Sequence, residues 1–278
     1  MPTDNSTYVL VELVHALARE MDALDATVKE QLTFAEHPSV GSKILPGSRT
    51  HVSFYKDFEW GVATGKLNLN NATRALRLII RQVDYFRVMV NNSLGSLSRG
   101  QELTLSRQEV DLEALLEEVV DLFDYLAEQK GVDIKLKVVG HPVIFVDRSL
   151  THRLLVNLVD NAIKYSYSSS ETSDKRYILI ECHRYSIQND WMIMVKSYGV
   201  GIDPEEIKSG SIFQYGARGK FATDRGRDGT GIGLAEAKRI AEAHLAEIKL
   251  ESQRIAGDTF LTSARVILPD LRGREKHG

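Results

Sequence analysis

The chain has 278 residues, 43% of them hydrophobic and 26% charged, with a formal net charge of -3. That is enough apolar material for ordinary buried cores in two unequal domains, and the charge gives no overall attraction to nucleic acid. No apolar run approaches the roughly 20 residues of a spanning helix, and Met1-Pro2-Thr3-Asp4 lacks the basic and apolar regions of a secretion signal, so a soluble, cytoplasmic chain without a membrane partner is expected. One cysteine excludes an internal disulfide and a cysteine zinc cluster, and the eight histidines show no paired metal spacing.

Residues 5–32 carry Leu10, Val14, Leu17, Met21, Leu24 and Val28, an apolar seam whose steps alternate between four and three. A second seam runs through Leu69, Ala72, Leu76, Ile79, Val83, Phe86 and Val90, opening after Asn68 and fading by Gly100. Stripes this narrow are poorly buried in an isolated hairpin, and pairing two copies into a four-helix bundle solves the problem, so residues 1–100 read as a helical dimerisation domain. A plain structural bundle or a helical arm for another partner is the alternative. Between the seams, residues 33–68 hold Phe54, Tyr55, Phe58 and Trp60, too long for a helix–helix turn, either a contact surface or padding at the bundle tip.

After a linker at 98–101, the pattern predicts a helix over 112–129 and strands near 132–139 and 143–146. Asp147-Arg148-Ser149 then starts a helix that repeats Leu150, Leu154, Leu158 and Ala162 on one face. A serine-rich loop at 166–174 leads to strands at 177–184 and 191–197; Cys182 shares a face with Ile178 and Ile180 and reads as packing. A glycine- and charge-containing loop over 203–228 precedes a helix at 234–244 and strands at 248–252 and 260–268. This order suits a two-layer α/β sandwich, a mixed sheet covered on one face by helices, over 105–270; 271–278 is a basic tail.

The helix after Asp147 turns Asn157, Asn161, Lys164 and Tyr165 away from its apolar stripe. An amide oxygen can complete the shell of a Mg²⁺ otherwise held by water and phosphate, and a lysine one turn on can neutralise phosphate. Gly229, Thr230, Gly231 and Gly233 precede the last helix, where bare backbone N–H groups and a helix N-terminus favour polyphosphate. Lys196-Ser197-Tyr198-Gly199-Val200-Gly201-Ile202 and Ile212-Phe213-Gln214-Tyr215-Gly216-Ala217-Arg218-Gly219 lie between them. In order and spacing these four segments resemble the N, G1, F and G2 boxes of the histidine-kinase catalytic domain, of the gyrase, chaperone and kinase ATPase superfamily.

The resemblance implies ATP and Mg²⁺ as cofactors. Asn161 becomes the direct metal ligand, Asn157 its support, Lys164 a phosphate contact, and Tyr165 a neighbour of the adenine. Ser197 stands where the family usually carries an aspartate that accepts from the adenine amino group, so weaker base binding is expected. Gly199 and Gly201 preserve the close backbone approach of the base. Over 203–228 the chain has the look of an ATP lid ordered only with nucleotide, Arg218 its first phosphate candidate and Lys220 and Arg225 its runners-up. In the first helix, Leu13-Val14-His15-Ala16-Leu17-Ala18-Arg19-Glu20 partly resembles the histidine box, with Ala16 in place of the usual acid. Glu12, one turn before His15, could polarise its imidazole. The expected function is that of a homodimeric protein histidine kinase that autophosphorylates and serves a response regulator or another signalling protein. A non-catalytic ATP-binding scaffold is the main rival. An anti-sigma-type serine kinase shares the ATP site but not the heptad helices, and a gyrase-type clamp would carry more chain after it.

Overall fold

The computed structural model describes residues 102–167, 177–187, 189–224 and 231–272. Both heptad seams, residues 33–68, His15, Glu12, Arg225, Gly229 and Thr230 lie outside them. Numbered within the described residues, the elements are β1 (Arg107–Asp111), α1 (Leu112–Lys130), β2 (Asp133–Val139), β3 (Val143–Asp147), α2 (Arg148–Tyr165), β4 (Tyr177–Arg184) and β5 (Trp191–Gly199). They continue with α3 (Pro204–Ser209), α4 (Lys220–Asp224), α5 (Gly233–Ala243), β6 (Glu247–Ala256) and β7 (Thr259–Leu268).

Local chemistry sets these boundaries. Asp111 caps α1 by accepting from the backbone of Glu113 at 2.9 Å, and Gly131 ends it in a left-handed conformation at φ +68°. Asp147 caps α2 through Leu150 N at 2.9 Å and also accepts from Ser106 N at 2.7 Å. At the far end of α2, the Lys130 ammonium donates to the carbonyls of Ile163 and Lys164, satisfying acceptors the last turn leaves open.

The main sheet runs β2-β4-β5-β7-β6, with β2 parallel to β4 and the other pairs antiparallel. Its inner face presents Ile178, Ile180, Cys182, Ile193, Val195, Ala264 and Val266 to the helices, all buried. The outer face is mixed, with Lys196 paired to Glu181 at 2.6 Å beside Leu179, Met192 and Met194. That is the expected two-layer sandwich with a mixed sheet. Burial drives the Cys182 thiol up to about 12, as a packing role requires.

Three departures have physical causes. Strand β1 was not anticipated, because Val110 is its one buried residue and nothing alternates; it pairs only with β3, in a separate two-stranded sheet. Helix α2 buries Leu155, Val156 and Val159 as well as Leu154 and Leu158, since α1, α5 and the sheet surround it. In the described part of the lid, two helices replace the expected loop. Asp203 caps α3 through Glu205 N at 3.0 Å, Pro204 opens it, and Gly210 at φ +70° closes it.

Candidate functional site

Asn157 and Asn161 stand one turn apart on α2, and the first residue of α5 runs directly against them. A Cβ on Gly233 would lie 3.5 Å from Asn157 Oδ1 and 3.6 Å from Asn161 Nδ2. Asn157 is 1% exposed. The Asn161 amide nitrogen is buried with no hydrogen-bond partner among the described residues. A buried amide of this kind marks a place built for something else to bind, and turning it over presents Oδ1, the atom that a Mg²⁺ takes. Because a nucleotide-borne Mg²⁺ needs only one or two protein oxygens, the residues present fit that group.

The glycines are placed by close contacts. Gly231 has φ +69°, and a Cβ there would overlap Ala217 O and Gly216 C at 2.5 Å, so the turn before α5 is pressed against residues 216–217. Gly216 N donates to Gly231 O at 3.0 Å. A Cβ on Gly199 would meet Tyr165 O at 2.0 Å, and one on Gly201 would strike the Phe260 ring at 2.3 Å. Protein contacts therefore already forbid side chains at Gly199 and Gly201, where the sequence suggested room for a base. Gly199 joins the end of β5 to the end of α2, where Val200 N donates to Tyr165 O at 2.9 Å, and Gly201 packs on Phe260 of β7.

Lys164 is paired with Asp160 at 2.5 Å rather than free to wait for phosphate. Burial pushes the Tyr165 phenol up, and its surrounding charges are Lys164, Asp160 and Arg218. The lid cation Arg218 therefore comes to the same end of α2. Lys220, the first runner-up in the lid, starts α4, where its backbone N–H donates to Glu206 Oε1 at 3.1 Å. Ser197 is buried on β5, in register with Thr262 of β7, which faces Ser252 of β6 across a 3.0 Å contact between hydroxyls. Three neighbouring strands thus offer a row of neutral hydroxyls where the family pattern would place a carboxylate. The described candidates are thus carried by the C-terminal half of α2, the end of β5, the lid residue Arg218 and the N-terminal end of α5.

Residues 146–270 match the family model described as histidine kinase-, DNA gyrase B-, and HSP90-like ATPase. They form the ATPase domain of a histidine-kinase catalytic core. Sensor protein RprX of Bacteroides fragilis is 24% identical over 260 residues, covering 93% of this chain and 44% of its own. The adaptive-response sensory kinase SasA of Crocosphaera subtropica is 30% identical over 175 residues, covering 63% of this chain and 43% of its own. This chain thus spans less than half the length of either relative. Among solved structures, full-length ShkA in complex with AMPPNP is similar in fold, with TM-score 0.50, 19% identity, and coverage of 93% of this chain and 46% of that one.

The kinase core contains a cluster that the sequence reading passed over. Glu236, 0% exposed on α5, meets Arg153 Nη2 at 2.7 Å, Arg239 Nη2 at 2.9 Å and the Tyr215 hydroxyl at 2.8 Å. Burial lowers the Arg153 pKa despite Glu236, whereas for the less buried Arg239 the bonds to Glu236 outweigh burial and raise it. A glutamate and two arginines in helical sequence read as a solvated face. Only the one-turn spacing of Arg153 from Asn157 hinted otherwise. Among the described residues no helix is long and apolar enough to cross a membrane.

Proposed function

We propose that this chain is a homodimeric histidine kinase that binds Mg-ATP between α2 and α5, phosphorylates His15 and passes the phosphoryl group to a response regulator. The observation that carries the reading is the buried, unpartnered Asn161 amide facing the glycine that opens α5. In this reading Asn161, supported by Asn157, holds the Mg²⁺, which supplies charge neutralisation at the phosphates when bound. Backbone N–H groups of the Gly231–Gly233 turn take the phosphates, with Lys164 and Arg218 contributing positive charge. Tyr165 and Ser197 line the base. A hydroxyl accepts from the adenine amino group without the charge assistance of a carboxylate, so the base is held more weakly.

Phosphoryl transfer of this kind is mainly positioning and electrostatics. A nitrogen of the His15 imidazole forms the new bond to the γ-phosphorus while the bond from that phosphorus to the β,γ-bridging oxygen breaks, leaving ADP. Glu12 accepts a hydrogen bond from the other ring nitrogen and stabilises the cation that develops. The RprX and SasA relatives, named as a sensor protein and a sensory kinase, support a two-component role.

Incubation of the full chain with γ-labelled ATP tests this, because a phosphoramidate is lost in acid and survives base. Label is expected to be acid-labile, to vanish in His15→Gln with Mg-ATP binding intact, and to form about a hundredfold more slowly in Glu12→Gln. Retained label in His15→Gln moves the acceptor elsewhere. A wild type that binds Mg-ATP yet never labels, with or without candidate partners, is a scaffold.

A further inference from the structure

Glu236 is saturated. Its Oε1 faces Arg153 Nη2 at 2.7 Å and Arg239 Nη2 at 2.9 Å, while Oε2 accepts from Arg239 Nε at 3.1 Å and from the Tyr215 hydroxyl at 2.8 Å. An ionised carboxylate has about four acceptor positions, and all are used inside the protein. Arg153 sits one turn before Asn157 on α2, and Glu236 sits one turn after Gly233 on α5. The cluster therefore lies directly beneath the place where Gly233 meets the two asparagines.

Tyr215 carries this anchoring into the lid. It occupies the second position of a turn closed by Ala217 N donating to Gln214 O at 3.0 Å, with Gly216 third at φ +81°. That φ belongs to a type II turn and needs glycine. The same Gly216 donates to Gly231 O, and no side chain fits between Gly231 and residues 216–217. Arg218 follows immediately and contributes to the charge around Tyr165. One hydroxyl thus ties the turn that leads into Arg218 to a carboxylate shared by both site helices.

We propose that Glu236 and Tyr215 are positioning residues of the nucleotide site: the buried carboxylate holds the 214–217 turn against the glycine turn that opens α5, and so fixes where backbone N–H groups and Arg218 meet a bound triphosphate. This rests on the nucleotide reading above. The Tyr215 phenol is pushed up to about 12, by burial first and by its bond to Glu236, so it remains a donor throughout the working pH range. The function of the pair is geometric, because neither group is assigned a contact with the nucleotide.

Tyr215→Phe in the full chain removes the bond and keeps the ring. Calorimetric titration with Mg-ATP and with adenosine, matched melting curves, and hydrogen exchange at the Gly216 amide read the consequences. Mg-ATP affinity is expected to fall about tenfold with adenosine affinity and melting temperature unchanged, and the Gly216 amide to exchange about tenfold faster. Glu236→Gln retains an acceptor oxygen for Tyr215 but loses the charge that fixes both arginines; where it folds, it shows the same split between ATP and adenosine. Unchanged Mg-ATP affinity in a Tyr215→Phe protein that melts like the wild type overturns the proposal alone. An equal loss for adenosine, or a loss that follows a lowered melting temperature, overturns it in favour of a structural role. Absence of Mg-ATP binding in the wild type removes the nucleotide reading and this proposal together, whatever the exchange at Gly216.

Discussion

An asparagine whose amide nitrogen is buried without a partner is a net cost to the folded state, roughly 1–3 kcal/mol for such a group. Asn161 is therefore better explained by what it binds than by what it stabilises. Asn161→Ala should leave the melting temperature unchanged or slightly raised. It should weaken Mg-ATP by about 10- to 100-fold, the loss expected for one contact to a charged group. Calorimetry beside thermal melts decides this, and equal affinity in the mutant removes Asn161 from the site. Ser197 has the opposite character, because it is buried in a sheet row whose neighbours Thr262 and Ser252 are themselves hydroxyls. Substituting aspartate there would place a charge at a 6% exposed position among neutral partners, which relates the departure from the family pattern to the surrounding strands.

Helices α2 and α5 are tied at both ends, by the Asn157, Asn161 and Gly233 contact at one and by His244 at the other. Buried His244 accepts from Asp147 N at 3.2 Å through Nε2, and its Nδ1 lies 2.9 Å from Ile240 O as the donor of the neutral ring. Burial lowers its pKa, partly opposed by the bond to Ile240 O and by the Asp147 carboxylate, with Arg107 adding to the lowering. A depressed folded pKa means that the unfolded chain binds the proton first. The stabilisation is complete above the ordinary imidazole value of about 6.5 and is lost as pH falls through it toward the lower folded value. Asp270 does not act in that window, because bonds from Arg272, Asn189 and Phe145 outweigh burial and hold it at about 2. The wild type should therefore lose more melting temperature between pH 7 and pH 5 than His244→Gln, whose amide offers both a donor and an acceptor without titrating. Parallel slopes would clear His244 of that role.

The same element scale shows what sequence makes legible. Strand β4 is bounded to the residue by its alternation, and α1 and α5 to within one by apolar periodicity, with Asp111 and Gly131 marking the ends of α1. That Asn157 and Asn161 lie beside a glycine opening the next long helix was legible from the order of the segments, and Gly233 shows that contact. Helix α3 was hidden by loop-like composition although Asp203, Pro204 and Gly210 mark both its ends. Glu236 was hidden for a different reason. Its meaning depends on Arg153 and Tyr215, far away in the chain and brought together only by packing.

At the scale of the whole molecule, the ATPase domain and the heptad seams differ in how each buries its apolar surface. The described sandwich is internally complete: Leu112, Leu116, Phe123, Leu154, Ile180 and Ile240 are fully buried within it. The seams at 10–28 and 69–90 are different, with one narrow apolar stripe each and nothing in their own sequence to cover it. Four such stripes close a bundle core and two do not, so the stripes predict that two copies associate through residues 1–100. The full chain should sediment as a dimer at micromolar concentration and a fragment beginning near Arg107 as a monomer that retains the melting transition of the sandwich. Replacing Leu17 and Leu76 by aspartate should convert the full chain to monomer, since each change puts a charge where the bundle core must be dry. A full chain that sediments as a monomer, or a double variant that remains dimeric, means that the seams are covered in some other way, and the homodimer leaves the functional proposal.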